Sequence, residues 1–228
     1  MLLYLSTNTR PDITFAVSQV ACFSANPKQS HATAVKTIVQ YLKGTQDKGS
    51  IIKPTKQMNL DLYVDADFCG LHNVEHPRDP SSARSRSGHI VMLANCPLVW
   101  KSQLQTHISL STLEAEYSAL SNALKVLIPF KRHVSELAEA LETDGVLLST
   151  IRARAFEDNA GALILAKDQR LTARTKYVLV KWHWFWSITL QPSDFELHNE
   201  SAKQRADYFT KPLPLQAFEH NRFVVQGW

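Results

Sequence analysis

Four acidic side chains stand on four separate stretches of this chain: Asp65, Glu116, Asp158 and Asp207. Carboxylates delivered by separate rigid segments suit a hard cation such as magnesium, which prefers carboxylate and water oxygens. Two such ions held about 3.5–4 Å apart can clamp the attacking and leaving oxygens of a phosphodiester. Each residue also has an ordinary reading. Asp65 shares a strand face with Asp67, and such a face is often merely solvated. Asp158 lies between a strand and a helix, where ligands gather in α/β sheets, but it can equally serve as a cap. Asp207, on a helix near the end, is uninformative when taken alone.

The choice between Glu114 and Glu116 follows from helix geometry. Ser111-Thr112-Leu113-Glu114 matches a capping box, which gives Glu114 a structural task. At about 100° per residue, Leu113, Tyr117, Leu120, Leu124 and Leu127 form one apolar stripe. Glu116 falls roughly 60° from the centre of that stripe, at the core boundary, and Glu114 roughly 100° away on the other side. Glu116 is therefore the better ligand candidate, although a boundary glutamate can also merely reach out to solvent.

The elements that must position these residues are legible in outline. Ile13, Val17 and Val20 recur at helical spacing after Arg10-Pro11-Asp12, and a second helix is predicted from Ser30 to Leu42, stopped by Gly44. From Leu60 to Phe68 the period changes to two, the mark of a strand. The stretch from His72 to Ser87 reads as a loop. Two strands follow, His89 to Leu93 and Leu98 to Lys101, joined at Asn95-Cys96-Pro97. The capped helix is expected to run to about Leu127, with a break or kink at Pro129 and a further helix from Lys131 to Leu141. Ile151 to Phe156 is a candidate strand, and Asn159 caps a helix through Lys167. A helix is predicted over Val178 to Ile188, a strand over Asp194 to His198, and a last helix from Ala202 to Thr210. The order implies α/β architecture: a mixed sheet with flanking helices, preceded by a short helical segment.

Composition is compatible with that reading. The chain has 228 residues, 44% of them apolar and 20% charged, so a packed core is available and disorder is not expected. A net charge of +4 tolerates a polyanionic partner without proving one. Three scattered cysteines, with no paired spacing, argue against a structural zinc site and for a reducing compartment. No apolar run approaches membrane-spanning length, and Met1 to Leu5 is too short for a signal peptide. The expectation is an intracellular protein, not secreted, without a membrane partner. The opening also reads as starting within a helix pattern, as a fragment would.

A series of short motifs carries a family resemblance. Thr9-Arg10-Pro11-Asp12-Ile13 with Ala16-Val17, and Tyr41-Leu42-Lys43-Gly44-Thr45, resemble the end of a reverse transcriptase domain and its junction with ribonuclease H. Val64-Asp65-Ala66-Asp67-Phe68, Leu110 to Tyr117, Glu157-Asp158-Asn159, Ala173-Arg174-Thr175-Lys176 and Ala206 to Leu213 continue it. Each motif is weak, but seven in order over nearly the whole chain are specific. The chain resembles the C-terminal part of a copia-type retrotransposon polyprotein. The resemblance implies residues 1–50 as the end of the reverse transcriptase and 51–228 as a ribonuclease H-like domain with a mixed five-stranded sheet. It also implies two Mg2+ or Mn2+ ions held by Asp65, Glu116, Asp158 and Asp207, cleaving the RNA strand of an RNA–DNA hybrid. The implied setting is the cytoplasm or a virus-like particle, beside the upstream reverse transcriptase. Asp67 is a candidate auxiliary group. His198 is a second, by likeness to the histidine such enzymes often hold before the last carboxylate.

Departures from the family pattern are informative. Phe68 replaces a tryptophan, Glu157 a cysteine and Tyr177 a histidine. Arg152 and Arg154 fall in a strand expected to be interior, where unpaired charge is costly; an edge strand, a slipped register or decay would each account for them. Arg170, Arg174, Lys176 and Lys181 are candidate contacts to nucleic-acid phosphates. Their neighbours Trp182, Trp184 and Trp186 read more readily as core than as base-stacking platforms. The alternative function is a decayed or truncated retroelement piece that binds nucleic acid without cutting it; an integrase-like nuclease is a third.

Overall fold

The computed structural model describes residues 1–72, 80–140, 151–168, 178, 180–186, 195–201 and 204–228. Its centre is a five-stranded sheet in the order β3-β2-β1-β4-β5. The strands are β1 (Leu60–Asp67), β2 (Arg86–Leu93), β3 (Cys96–Leu104), β4 (Ala153–Glu157) and β5 (Glu196–Asn199). β1, β2 and β3 form an antiparallel meander, while β4 lies parallel to both β1 and β5. This is the mixed five-stranded sheet that the resemblance implies. The β2–β3 hairpin turns on Ala94 and Asn95, both at positive φ (49° and 67°), the conformation that a two-residue turn with the native strand twist requires. The turn thus comes just before Cys96-Pro97, which belong to β3.

Alternation on β1 divides the core. Leu60, Leu62 and Val64 face α4 (Thr112–Ala140) and α5 (Ala160–Asp168), together with Ala115, Leu120, Leu124 and Leu127. Tyr63 faces the other way, with Ile90, Met92 and Trp100, against a 3-10 turn at Ala206–Phe209 and α6 (Leu215–Gln226). From sequence the last helix is expected to end at Thr210. The structure instead places a 3-10 turn there and adds α6, whose apolar positions Phe218 and Val225 join the second core cluster.

α4 also corrects an expectation. It runs unbroken for 29 residues through Pro129, where a break or kink and a further helix are expected from sequence. Loss of one backbone hydrogen bond is outweighed when the helix is fixed on both sides of the proline by packing, here through Leu127, Ile128, Phe130 and Val134. Its start is as read: Ser111 Oγ accepts the Glu114 backbone N–H at 3.2 Å, and Glu114 Oε2 accepts the backbone N–H of Leu110 at 2.8 Å.

The arginines of β4 find a simple account. β4 is interior, and the guanidinium of Arg154 donates to both oxygens of Asp61 on β1, at 2.7 and 2.8 Å. The β1–β4 register sets these two residues opposite each other. Arg152 is exposed just before the strand begins. Neither an edge position nor a slipped register is needed.

α1 (Leu2–Asn8), α2 (Thr14–Ala21) and α3 (Gln29–Gly44) precede the sheet, as the helical expectation for residues 1–50 had it. They enclose Ile13, Val17 and Ile38. Side chains from both sides of residue 50 meet: Trp100 Nε1 donates to the Ser6 carbonyl at 2.6 Å, and Arg86 donates to Ser18 Oγ and to Gln19 Oε1, each at 2.6 Å. No helix among the described residues is long and apolar enough to cross a membrane.

Candidate metal-binding active site

The parallel pairing of β1 and β4 builds the site. Tyr63 lies opposite Phe156, so two residues further along, Asp65 comes level with Asp158 as the chain leaves β4. Glu116, on the first turns of α4, reaches the same place from above the sheet. One carboxylate oxygen from each of Asp65, Glu116 and Asp158 lies within 4.8 Å of the others. Asp65 and Glu116 are buried, at 2% and 4% exposure, and Asp158 is half-buried.

These carboxylates have little to neutralise them. Burial, followed by the charges of Glu157, Asp65 and Asp158, pushes Glu116 up to about 11, against a backbone hydrogen bond from Ala66. Burial also lifts Asp65 to about 7, aided by Asp207 and Asp158 and opposed by Lys211 and Thr210. Asp158 is raised by burial and by Asp207. Glu116 Oε2 is buried with no hydrogen-bond partner among the described residues. A group of like charges, held together around an unsatisfied oxygen, fits a divalent cation: its charge reverses the cost of ionising them, and the all-oxygen donor set suits a hard ion.

Asp207 stands beside this trio rather than inside it. Its Oδ1 takes the Lys211 ammonium at 2.7 Å, and the same ammonium lies 3.8 Å from Asp65 Oδ2. The Thr210 hydroxyl donates a short hydrogen bond to that Asp65 oxygen. What lets Thr210 approach is Gly88, opposite Asp65 in the sheet. A Cβ there would come within 2.6 Å of the Thr210 methyl and 2.8 Å of Phe209 Cβ.

The auxiliary candidates do not join the three-carboxylate group. Asp67 is half-buried at the end of β1 and is raised by burial, with Lys211 and Arg86 acting against this. His198 Nε2 lies 3.0 Å from Glu196 Oε2, and its ring stacks on Phe156 with centroids 5.3 Å apart. Of the basic candidates, Arg170, Arg174 and Lys176 lie outside the described residues, as does the side chain of Lys181. Trp182, Trp184 and Trp186 pack against the main core, and Trp184 Nε1 donates to Ser121 Oγ at 3.0 Å. Within the predicted 178–188 helix, the described residues form a 3-10 turn at Val180–His183, then a turn, with Trp186 in α-helical conformation.

Sequence reasoning overlooked three contributors. Thr210 and Lys211 signal no more in the sequence than the end of a helix, although they sit in the last motif, three and four residues after Asp207. Glu157 stands out in the sequence only as the replacement of a cysteine; it is wholly buried, and burial holds its carboxyl well above the usual range while its Oε1 accepts the Asn159 N–H at 3.1 Å.

No family model matches the chain. The Retrovirus-related Pol polyprotein from transposon TNT 1-94 of Nicotiana tabacum is 32% identical over 96% of this chain. The corresponding polyprotein from transposon RE1 of Arabidopsis thaliana is 30% identical over 93% of it. The chain spans 15% and 13% of the lengths of these relatives. Among solved structures, the N-terminal ribonuclease H domain of Rv2228c from Mycobacterium tuberculosis is 16% identical, with a TM-score of 0.40, over 72% of this chain and 96% of that one. The likeness to transposon polyproteins takes in nearly every residue of the sequence, clustered acidic site included, and by it the chain belongs to the copia-type retrotransposon Pol polyproteins.

Proposed function

We propose that this chain is a metal-dependent endoribonuclease that cuts the RNA strand of RNA–DNA hybrids during retrotransposon reverse transcription. The single observation that carries the reading is the convergence of Asp65, Glu116 and Asp158 from β1, α4 and the end of β4. Residues so far apart in sequence are brought together, at a cost in charge repulsion, in a protein of a retroelement family. Perturbed carboxylates packed around one point mark functional sites more often than architectural ones.

In this reading Asp65, Glu116 and Asp158 hold the ions, with Asp207 at the outer side as the fourth carboxylate. Magnesium or manganese is the expected metal, two ions per site. When bound, the ions activate the attacking water and stabilise the leaving 3′ oxygen. The chain's own residues do the rest. Glu116 and Asp65, fixed by α4 and by the interior of the sheet, keep the donor oxygens in place. Thr210 fixes one Asp65 oxygen, and Asp158 is held at the mouth by the capped start of α5. Arg170, Arg174, Lys176 and Lys181 are the proposed phosphate contacts. Residues 51–228 form the nuclease unit, and residues 1–50 join it to the upstream reverse transcriptase, in the cytoplasm or a virus-like particle.

The test is cleavage of an RNA–DNA hybrid labelled on its RNA strand, with Mg2+ or Mn2+. Asp65→Asn and Asp158→Asn should each lower the rate by roughly a thousandfold or more, the scale expected when a member of a catalytic constellation is lost. Full activity in either variant removes the mechanism. Hybrid binding by the wild-type chain with no cleavage at saturating metal establishes the alternative, a binding remnant.

A further inference from the structure

The acidic site contains its own cation. Lys211 reaches back one helical turn to Asp207, with its ammonium 2.7 Å from Asp207 Oδ1, and continues to within 3.8 Å of Asp65 Oδ2. The site is thereby divided. On the inner side Asp65, Glu116 and Asp158 crowd together, and one Glu116 oxygen lacks a partner among the described residues. On the outer side a positive charge already bridges Asp65 and Asp207. Two carboxylates from unrelated segments, one of them buried, would otherwise repel each other across this gap. Thr210, adjacent to Lys211 in the chain, anchors the arrangement by donating to the same Asp65 oxygen. The Lys211 side chain is 39% exposed, so solvent is open to it and the ammonium can leave without unpacking the core.

We propose that Lys211 is a positioning residue that stands in for one of the two metal ions: its ammonium holds Asp207 against Asp65, and the outer ion binds only by displacing it. The inner carboxylates then take the first ion with the ammonium only at their edge, 3.8 Å from Asp65 Oδ2, and the second must compete with it directly. Tethering gives Lys211 a high effective concentration, so filling of the outer position is deferred to higher metal concentrations. This inference rests on the proposed metal-dependent nuclease site.

The experiment is direct binding of Mn2+ to the full chain without nucleic acid, followed by electron paramagnetic resonance of the free ion, alongside thermal unfolding in chelator. Wild type should bind two ions with separated affinities. In Lys211→Met the weaker ion should bind about three- to tenfold more tightly, the scale of a partly exposed ion pair. The metal-free melting temperature of that variant should fall, and saturating Mn2+ should restore it. Lys211→Arg, which keeps the charge, should behave like wild type. Lys101→Met, which removes an equal charge from an exposed position on β3, should leave both affinities unchanged. If Lys211→Met does not fold, Lys211→Gln provides the same measurement. Equal affinities for the weaker ion in Lys211→Met and wild type, with Mn2+ binding still abolished by Asp65→Asn, overturn the role of Lys211 and leave the site standing. Mn2+ binding that survives Asp65→Asn unchanged overturns the site itself, and this inference with it.

Discussion

Two buried carboxylates in this molecule live in opposite surroundings. Asp12, in the helical region, is met by donors. Arg10 donates to its two oxygens at 2.9 and 2.7 Å, Tyr41 Oη donates at 2.8 Å, and Gln226 Nε2 approaches at 3.4 Å from the far end of the chain. Arg10 is itself tied to Thr45 by hydrogen bonds of 2.7 and 3.2 Å. Among the described residues Asp65 is met mainly by other acids, with one hydroxyl and one distant ammonium to offset them. A buried charge that serves architecture is surrounded by partners that satisfy it. A buried charge that serves chemistry is left short of them, so that something absent from the fold can complete it.

The comparison can be broken first at Asp12. Asp12→Ala strands the Arg10 guanidinium and should cost about 3–5 kcal/mol in denaturant unfolding, while the folded fraction keeps its hybrid-cleaving rate. A loss below about 1 kcal/mol would mean that the network is ornamental.

Asp65 should respond with the opposite sign. Its carboxyl sits at about 7 in the fold against an ordinary value of 3.8. The folded state therefore holds its proton more tightly than the unfolded state. The stability associated with that proton is complete below the unfolded value and is lost as pH rises through about 7. Metal-free protein should thus weaken between about pH 4 and pH 7, by on the order of 1–3 kcal/mol from Asp65, and Asp65→Asn should reduce that slope, leaving the part due to Glu116, Glu157 and Asp158. Mn2+ should do the same in wild type. A metal-free protein that grows steadily more stable across this range would contradict the crowding described here.

Gly88→Ala sharpens the comparison with a smaller effect. The new methyl pushes on Thr210 and Phe209, which overpacking rules place at about 1–3 kcal/mol. Because Thr210 holds Asp65, cleavage should fall further than stability alone accounts for. The readout is the rate per folded molecule, with Thr210→Val as the companion that removes the hydrogen bond without adding bulk at Gly88.

Much of this site was legible beforehand, and the reasons are local. The two-residue period of Leu60 to Phe68 is set by the pleat, so the strand and its acidic face could be read directly. Glu116 was separated from Glu114 by helical rotation together with the capping task of Glu114, and the structure has Glu114 bonded at the helix start and Glu116 in the cluster. Asn159 was read as a cap, and its Oδ1 accepts the Ala162 N–H at 2.9 Å. What escaped was non-local. Asp65 and Asp67 share a strand face, and only the 3-10 turn packing over Gly88 buries one and leaves the other half-exposed. Arg154 read as misplaced because its partner Asp61 lies 93 residues away. Pro129 reads as a break or kink because the packing that carries α4 past it comes from other elements.

By itself the sequence determined the alternating and helical segments, the capped start of α4, and an ordered set of motifs that named four acids. Those features depend on neighbours within a few residues, where backbone geometry rules. Only the tertiary structure decided that three of the acids meet, that the Lys211 ammonium comes up to Asp65, and that Arg154 is paired. Each of these depends on the β1–β4 register and on the C-terminal segment folding back over the sheet. The energies involved belong to charges brought together through space, and no window of sequence contains both members.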